Sequence, residues 1–147
     1  MQEEVGLRGA KTLAYKIDPN IAIALDVTIS NDHIGMEKGE TVMGDGISIS
    51  ILDRASIGNP QLIRYLEDLA IKNKIPYTFD ALTGGGTDAG AFHLSRSGVI
   101  TVTLSAATRY IHSHYAVCHL GDIEAAVQLL EKFILSLNNK NYQKLLL

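Results

Sequence analysis

The 147-residue sequence has little of several features that mark particular classes of protein. Its single cysteine, Cys118, excludes an intrachain disulfide and a cysteine-based zinc cluster. The net charge of −3 gives no electrostatic reason to expect nucleic acid or an acidic membrane as a partner. No apolar run is long enough to span a bilayer, and no charged segment followed by an apolar one opens the chain. We therefore expect a cytoplasmic protein without a nucleic-acid or membrane partner.

The composition is otherwise ordinary for a globular protein, with 46% hydrophobic and 20% charged residues. A chain of this length can bury a sizeable core, so we expect a single domain over residues 1–147. Apolar periodicity predicts helices over residues 9–17, 59–74 and from an N-cap at Asp122 onward. Strands are predicted over residues 21–27, 47–51, 76–82 and 98–105. Strands that alternate with helices favour an α/β layered fold.

The pattern within three of these elements predicts how each is buried. Residues 21–27 are almost all apolar, which is typical of a strand buried on both faces. Residues 47–51 alternate between apolar and polar, as in a half-buried or edge strand. The last helix is expected to face the core with one apolar stripe, formed by Ile123, Ala126, Val127, Leu130, Phe133 and Ile134.

Two adjacent carboxylates, Glu3 and Glu4, stand at the start of the chain. In an extended segment neighbouring side chains point in opposite directions, so one carboxylate could hold a metal ion while the other faces a water molecule. That division suits a metallohydrolase, in which the second carboxylate takes a proton from metal-bound water. On this feature alone, a solvated charge pair at a chain terminus is the more common explanation.

Asp26 and His112 both follow strand-like runs. Asp26 ends an apolar stretch, where functional groups of α/β folds gather, although a turn-forming or capping aspartate explains it equally well. His112 comes shortly after the strand predicted over residues 98–105, with Arg109 and Tyr110 just before it. Without other information a histidine at the surface or at the edge of the core is the commoner explanation. Together with Glu4, these residues form an oxygen and nitrogen ligand set that suits zinc, cobalt or manganese.

The segment TGGGTDAG (residues 83–90) partly matches a dinucleotide-binding loop. The match fails because no acidic residue follows about 20 positions on and because Asp88 would repel a pyrophosphate. No lysine follows either, which excludes a P-loop. Either the glycines form a wall that a substrate backbone can approach closely, or they make a tight connection between a strand and a helix.

Three segments in order, QEEVGLRGAKTLAYKIDPNIAIALDVT, GGGTDAGAFHLSRSGV and RYIHS, resemble the carboxyl half of the catalytic domain of the glutamyl and deblocking aminopeptidases. This family forms tetrahedral particles, and some members have been named endoglucanases. The resemblance covers nearly the whole chain. It implies a three-layer arrangement of helices, mixed sheet and helices, as in zinc peptidases, with the first strands of the domain missing.

The resemblance also implies roles for individual residues. Glu3 would be the general base, Glu4 and His112 ligands of one divalent ion, and Asp26 a ligand of a second. The two ions are expected to be zinc or cobalt, and the substrate a peptide. Asp88 and the loop before it would line the substrate site, through Gly85, Gly86 and Thr87.

In the family, a histidine ligand and an aspartate that bridges both ions precede the segment with which this chain starts. We therefore expect a fragment of a dinuclear aminopeptidase that binds the ions weakly or partially and is inactive alone. It would work with a separate amino-terminal half or persist as a non-catalytic, self-associating protein. Because the cut sheet would expose an apolar edge, we expect a homo-oligomer. Endoglucanase activity is a third and weaker interpretation, since glycosidases need two carboxylates flanking a sugar bond.

Overall fold

The computed structural model describes residues 2–36 and 39–146. In chain order its elements are α1 (Arg8–Ile17), β1 (Ile21–Ile29), β2 (Ile47–Leu52), α2 (Pro60–Asn73), β3 (Tyr77–Ala81), α3 (Ala89–Phe92), β4 (Ile100–Arg109), β5 (Val117–Cys118), α4 (Leu120–Ser136) and α5 (Asn139–Leu145). Every helix and strand predicted from periodicity is present, with its ends shifted by a few residues. Three short elements, α3, β5 and α5, were not predicted from periodicity.

The strands form one mixed sheet in the order β1-β4-β2-β3, with β5 attached to β4. β1 runs parallel to β4 and β2 runs parallel to β3, whereas β4 is antiparallel to both β2 and β5. Helices α2 and α4 contact each other and strands β2 and β4, while α3 contacts α1, β1 and β4. This arrangement confirms the expected α/β fold with a mixed sheet. Within residues 2–36 and 39–146, no helix has the length and apolarity needed to cross a membrane.

The two faces of the sheet differ in the size of their side chains. Strand register places small or polar residues beside one another on one face, as in the pairs Ala24–Thr103, Asp26–Ser105, Thr28–Ala107 and Ser48–Ser105. We call this the small face. The alternate positions form the opposite, large face and carry large apolar side chains, as in the pairs Ile23–Val102, Leu25–Leu104, Ile49–Leu104 and Ile49–Phe79. The main hydrophobic core lies on the large face, where α2, α4 and α5 contribute Leu62, Leu66, Leu129, Phe133 and Leu145.

The short α3 packs close to strands β1 and β4 because its own side chains are also small. Ala89, Gly90 and Ala91 are all buried. A Cβ atom on Gly90 would come within 2.6 Å of the Cβ of Ala55, so a larger residue would not fit there without a shift of the backbone. The small face therefore brings α3, and the glycine-rich loop before it, into close contact with the sheet.

Two predictions about strand burial are wrong. β2 is an interior strand between β4 and β3, and its residues 47–50 are all buried, because Ser48 and Ser50 belong to the small polar face rather than to solvent. β1, in contrast, pairs only with β4 among the described residues. On its large face Leu25 is 62% exposed and Val27 is 41% exposed. β1 is therefore a sheet edge that is not fully covered.

The exposed part of β1 continues into an apolar groove of about 450 Å³ between the sheet and α4. This groove lies beside the part of α4 whose burial was wrongly predicted. The buried residues of α4 are Asp122, Ala125, Leu129 and Phe133. Ile123, Val127 and Ile134 lie on the predicted stripe but are exposed. The stripe is nevertheless apolar, so this side of α4 and the edge strand together form one uncovered apolar surface.

The start of α4 also differs from the prediction. The N-cap is His119, whose ring nitrogen Nδ1 accepts a hydrogen bond from the backbone N–H of Gly121 at 3.1 Å. Asp122 lies in the first turn with no exposed surface. Its carboxylate accepts hydrogen bonds from the backbone N–H groups of Gly44 and Gly46, at 2.8 and 2.9 Å. Asp122 therefore fastens the loop before β2 to α4, which is a tertiary role that its local sequence does not reveal.

We expect Asp122→Ala to lower the free energy of unfolding by about 3 kcal/mol, because two backbone amides of the loop would lose their acceptor. Chemical denaturation followed by circular dichroism measures this. Glu124→Ala, at an exposed position in the same helix, should change the free energy by less than about 0.5 kcal/mol. Equal stabilities of the two variants would contradict the role assigned to Asp122.

Candidate metallopeptidase site

One cavity of about 510 Å³ lies where the amino-terminal segment, β1, the glycine-rich loop and the loop after β4 meet. Its lining includes seven of the eight residues singled out in the sequence, namely Glu3, Glu4, Asp26, Gly85, Gly86, Thr87 and His112. Asp88 is not part of the lining, but its charge acts on two of the residues that are, as shown below. Residues that are more than 100 positions apart in the sequence, from Glu3 to His112, are thus brought into one site.

Glu3 and Glu4 are carried by a turn and not by the extended segment that the sequence suggested. The backbone carbonyl of Glu3 accepts hydrogen bonds from the N–H groups of Gly6 and Leu7, at 3.1 and 3.0 Å. Gly6 has a φ of +107°, a conformation that favours glycine and allows the chain to turn directly into α1. The argument from strand alternation therefore does not apply here, although both carboxylates still line the same cavity.

Glu4 and His112 are in direct contact. The Nδ1 atom of His112 lies 3.2 Å from a carboxylate oxygen of Glu4, and both side chains are mostly exposed. A carboxylate and an imidazole at this separation can share a proton, or both can turn toward a common cation. These are the two residues that the resemblance assigns to the same ion.

Asp26 occupies the small face of β1. Its Oδ1 atom accepts a hydrogen bond from the backbone N–H of Val27 at 2.8 Å. Partial burial raises the pKa of the Asp26 carboxyl, the Val27 N–H opposes this effect, and the nearby charges of Asp88 and Glu4 raise the pKa further. The described residues place no cationic side chain within ion-pair distance of Asp26.

The same crowding of negative charge affects Glu3. Burial raises the pKa of its carboxyl, and the charges of Asp26, Glu4 and Asp88 raise it further, while His112 has the opposite and smaller effect. These raised pKa values show that the fold keeps several negatively charged carboxylates close enough to repel one another. A bound cation would relieve that repulsion, so the electrostatics of the cavity favour a positively charged ligand.

The glycine-rich loop is held by Asp53, a residue that the sequence analysis did not single out. The Asp53 carboxylate is buried and accepts hydrogen bonds from the Thr87 hydroxyl at 2.8 Å and from the N–H groups of Ala55 and Ser56, at 2.7 and 2.6 Å. A Cβ atom on Gly86 would lie 3.2 Å from the Cβ of Ala55, which is a tight contact. The one feature of the sequence that could have indicated Asp53 is its position directly after β2.

Asp88 follows this loop and opens α3. One of its carboxylate oxygens, Oδ1, is buried and has no hydrogen-bond partner among the described residues. A buried carboxylate oxygen without a hydrogen-bond partner is unusual in a folded protein, because its desolvation is costly. The charge of Asp88 also raises the pKa of the Glu3 and Asp26 carboxyls, both of which line the cavity.

The arrangement offers an incomplete set of ligands. Within residues 2–36 and 39–146, no three His, Cys, Asp or Glu side chains are grouped closely enough to hold a metal ion. Glu4 and His112 form a pair, and Asp26 stands apart from them in the same cavity. The donor atoms are of the type that zinc and cobalt accept, but a catalytic zinc site normally has three protein ligands.

Comparison with known proteins gives a consistent result. The model of the M42 glutamyl aminopeptidase family matches residues 1–129. Over 140 residues the chain is 37% identical to the glutamyl aminopeptidase of Lactococcus lactis, a match that covers 95% of this chain and 39% of that protein.

Solved structures agree with this match. The TET aminopeptidase of a Thaumarchaeota archaeon from marine sediment superposes with a TM-score of 0.94 and 38% identity, over 99% of this chain and 41% of that one. The TET1 peptidase of Pyrococcus horikoshii, which can assemble into a tetrahedron or a large octahedral shell, has a TM-score of 0.77 and 36% identity, over 93% of this chain and 39% of its own.

The chain therefore spans about two fifths of the length of these relatives. The family resemblance of its three sequence segments is confirmed, and so is the mixed sheet flanked by helices that the resemblance implied. With a family match across residues 1–129, the chain belongs to the M42 glutamyl aminopeptidases, a family of metallopeptidases.

Proposed function

We propose that this chain supplies one part of the active site of a dinuclear, metal-dependent aminopeptidase, which removes amino-terminal residues from peptides. The observation that carries the proposal is the meeting of Glu3, Glu4, Asp26 and His112 in one cavity. Glu4 and His112 would hold one ion and Asp26 the other, with zinc or cobalt as the metal. The excess of carboxylates would also attract the ammonium group of a peptide amino terminus.

Glu3 is suited to act as the general base. A bound divalent ion would acidify a coordinated water molecule and polarise the scissile carbonyl. The raised pKa of the Glu3 carboxyl makes its ionised form a stronger proton acceptor at neutral pH than an ordinary glutamate. The loop of Gly85, Gly86 and Thr87 would let the peptide backbone approach closely, because two of its three residues have no side chain.

The ligand set explains why we expect weak or partial metal binding and no activity from the chain alone. Each proposed metal position has at most two protein ligands here, which is fewer than catalytic sites normally use. Since the chain spans about two fifths of its relatives, we propose that the remaining ligands come from the rest of the family's catalytic domain. An endoglucanase function gains no support from this geometry, because a glycosidase would not require the imidazole beside Glu4.

A second candidate function is favoured by the uncovered apolar surface of β1 and α4. A non-catalytic protein that self-associates through this surface would need no metal and no substrate. The two candidate functions make different predictions for Glu3. Peptide hydrolysis requires its carboxylate as the base, whereas self-association through β1 and α4 does not.

We expect the isolated chain to release no measurable product from aminoacyl p-nitroanilides, even with added zinc or cobalt. Mixed with the amino-terminal part of a related M42 peptidase, it should gain activity, and Glu3→Gln should reduce that activity at least about 100-fold because the base is lost. Glu124→Gln, on the exposed side of α4, serves as the control. Hydrolysis by the isolated chain that depends on Glu3 would show that its site is complete. No hydrolysis from any mixture would favour the non-catalytic alternative.

Asp26→Asn tests the burial of the second proposed ligand. A carboxyl with a raised pKa in the folded state favours folding only while it is protonated, so its ionisation destabilises the fold as the pH rises. The asparagine can still accept the Val27 hydrogen bond. With a chelator present, we expect the variant to melt about 1–3 °C higher than the parent chain at pH 7, and the difference to vanish below about pH 4.

Asp68→Asn, at an exposed position on α2, is the control for that measurement and should change the melting temperature little at either pH. Differential scanning calorimetry between pH 3 and pH 7 gives the comparison. A lower melting temperature for Asp26→Asn at pH 7 would contradict the inference that Asp26 is ionised at a cost to stability.

We also propose that the chain self-associates, as a dimer or a larger assembly. An edge strand with exposed Leu25 and Val27 offers unpaired backbone groups and apolar surface to another chain. Light scattering at micromolar concentration should give a mass of at least twice the 15.9 kDa of one chain. Leu25→Lys should shift the mass to the monomer while leaving the circular dichroism spectrum unchanged. A parent chain that has the monomer mass at every dilution would contradict this proposal.

A further inference from the structure

Arg109 and Tyr110 lie three and two residues before His112, yet the proposed chemistry gives neither residue a role. His112 lies in the loop that joins β4 to β5, and both Tyr110 and His112 have a φ of +60°. This left-handed conformation is unfavourable for residues that carry a Cβ atom. The loop therefore needs anchors that hold it in place, and a metal ligand in particular has to be placed to within about 0.5 Å.

Arg109 provides the strongest of these anchors. Its Nε atom donates a hydrogen bond to Oδ1 of Asp32 at 2.8 Å, and a terminal nitrogen donates to Oδ2 at 2.6 Å. The carboxylate of Asp32 is 15% exposed. A two-pronged bond between planar groups fixes direction as well as distance. The end of β4 is thereby fastened to the segment that follows β1.

Asp32 is itself held in place. The Ser30 hydroxyl donates to its Oδ1 atom at 2.6 Å, and Ser30 is fully buried. The backbone N–H of Ser30 donates to the carbonyl of Thr108 at 3.1 Å, and the Ser30 hydroxyl accepts from the N–H of Met43 at 3.1 Å. The Arg109 guanidinium, with the Ser30 hydroxyl, holds the pKa of the Asp32 carboxyl well below its usual range, so the pair stays charged at neutral pH.

A second contact joins the same two segments. The ring of His33 packs edge-on against the ring of Tyr110, with 5.4 Å between the ring centres. Beyond Tyr110, the hydroxyl of Ser113 donates to the Tyr110 carbonyl at 2.6 Å and closes the turn that contains His112. An unbroken series of contacts thus leads from Asp32 through Arg109 and Tyr110 to the turn.

We propose that the Asp32–Arg109 ion pair is a positioning device for His112, which sets the approach of its imidazole to Glu4 and thereby the affinity of the metal position that these two residues form. Arg109 is only three residues from His112, so a shift at the end of β4 displaces the imidazole. The inference rests on the proposed function of His112 and Glu4 as ligands of one ion. Asp32 and Arg109 act through His112 and are positioning residues.

The test follows the His112 ring by NMR during titration with Zn²⁺, in the chain itself and in Asp32→Asn and Arg109→Lys. We expect both variants to need about tenfold more Zn²⁺ for half-maximal change of the His112 signal, because supporting residues of metal ligands typically have effects of this size. Before Zn²⁺ is added, backbone relaxation should show greater mobility of residues 110–116 in both variants, with the amide signals of the strands unchanged.

Asp18→Asn is the matched control, because it removes another ion pair, Asp18–Arg96 at 3.3 Å, which lies at the end of α1. It should leave both the Zn²⁺ titration and the loop relaxation as in the parent chain. An equal loss in this control, or parental Zn²⁺ titration in Asp32→Asn, would overturn the positioning role. A loss of native spectra in both Asp32→Asn and Arg109→Lys would overturn it too, because the pair would then support the whole fold.

The two proposals can fail separately. If Zn²⁺ leaves the His112 ring of the parent chain unaffected, the proposed ligand role of His112 fails. The metal-free relaxation measurement still decides whether the ion pair positions the loop, since unchanged mobility of residues 110–116 in both variants would overturn it.

Discussion

The parallel pairing of β1 with β4 is the interaction on which the candidate site depends. Its register sets Asp26 beside Ser105 and Ile29 beside Thr108, so the two strands end together. From these ends the chain continues into Asp32 on one side and into Arg109 and His112 on the other. Residues that are distant in the sequence thus come to one cavity because two backbones run side by side. The amino-terminal turn then adds its two carboxylates to a place that the sheet has already defined.

Much of this arrangement could be predicted from sequence. Helices and strands follow from periodicity, because an element that packs on a core repeats its apolar positions. Asp26 and His112 were recognisable candidates, since Asp26 ends an apolar run, His112 comes shortly after a β-rich run, and the family resemblance connects them. That resemblance also brought in Glu3 and Glu4, which local chemistry alone could not distinguish from a solvated charge pair. Their convergence with Asp26 and His112 in one cavity is a property of the three-dimensional fold.

Other features could not be predicted, for physical reasons. Asp122 has the sequence context of an N-cap, but its hydrogen bonds are to Gly44 and Gly46, which only the tertiary fold brings near. The alternation of isoleucine and serine in β2 predicts one buried face and one face in solvent. A strand whose second face is buried and made of small polar residues gives the same sequence pattern. Val127 belongs to a regular apolar stripe, yet it is exposed, since periodicity shows which residues share a face and not what covers that face.

Gly90 has a consequence for how closely α3 can lie to the loop after β2. A Cβ atom at this position would meet the Cβ of Ala55 at 2.6 Å, which is too close, whereas its 3.5 Å distance to the Cδ1 of Leu7 would be an ordinary contact. Leu7 belongs to the same turn that carries Glu3, whose carbonyl it caps. The distance between α3 and the loop after β2 therefore depends on the absence of a side chain at Gly90. Because Asp53 in the same loop holds Thr87, which lines the cavity, a residue with no side chain and no charge contributes to the shape of one wall of the site.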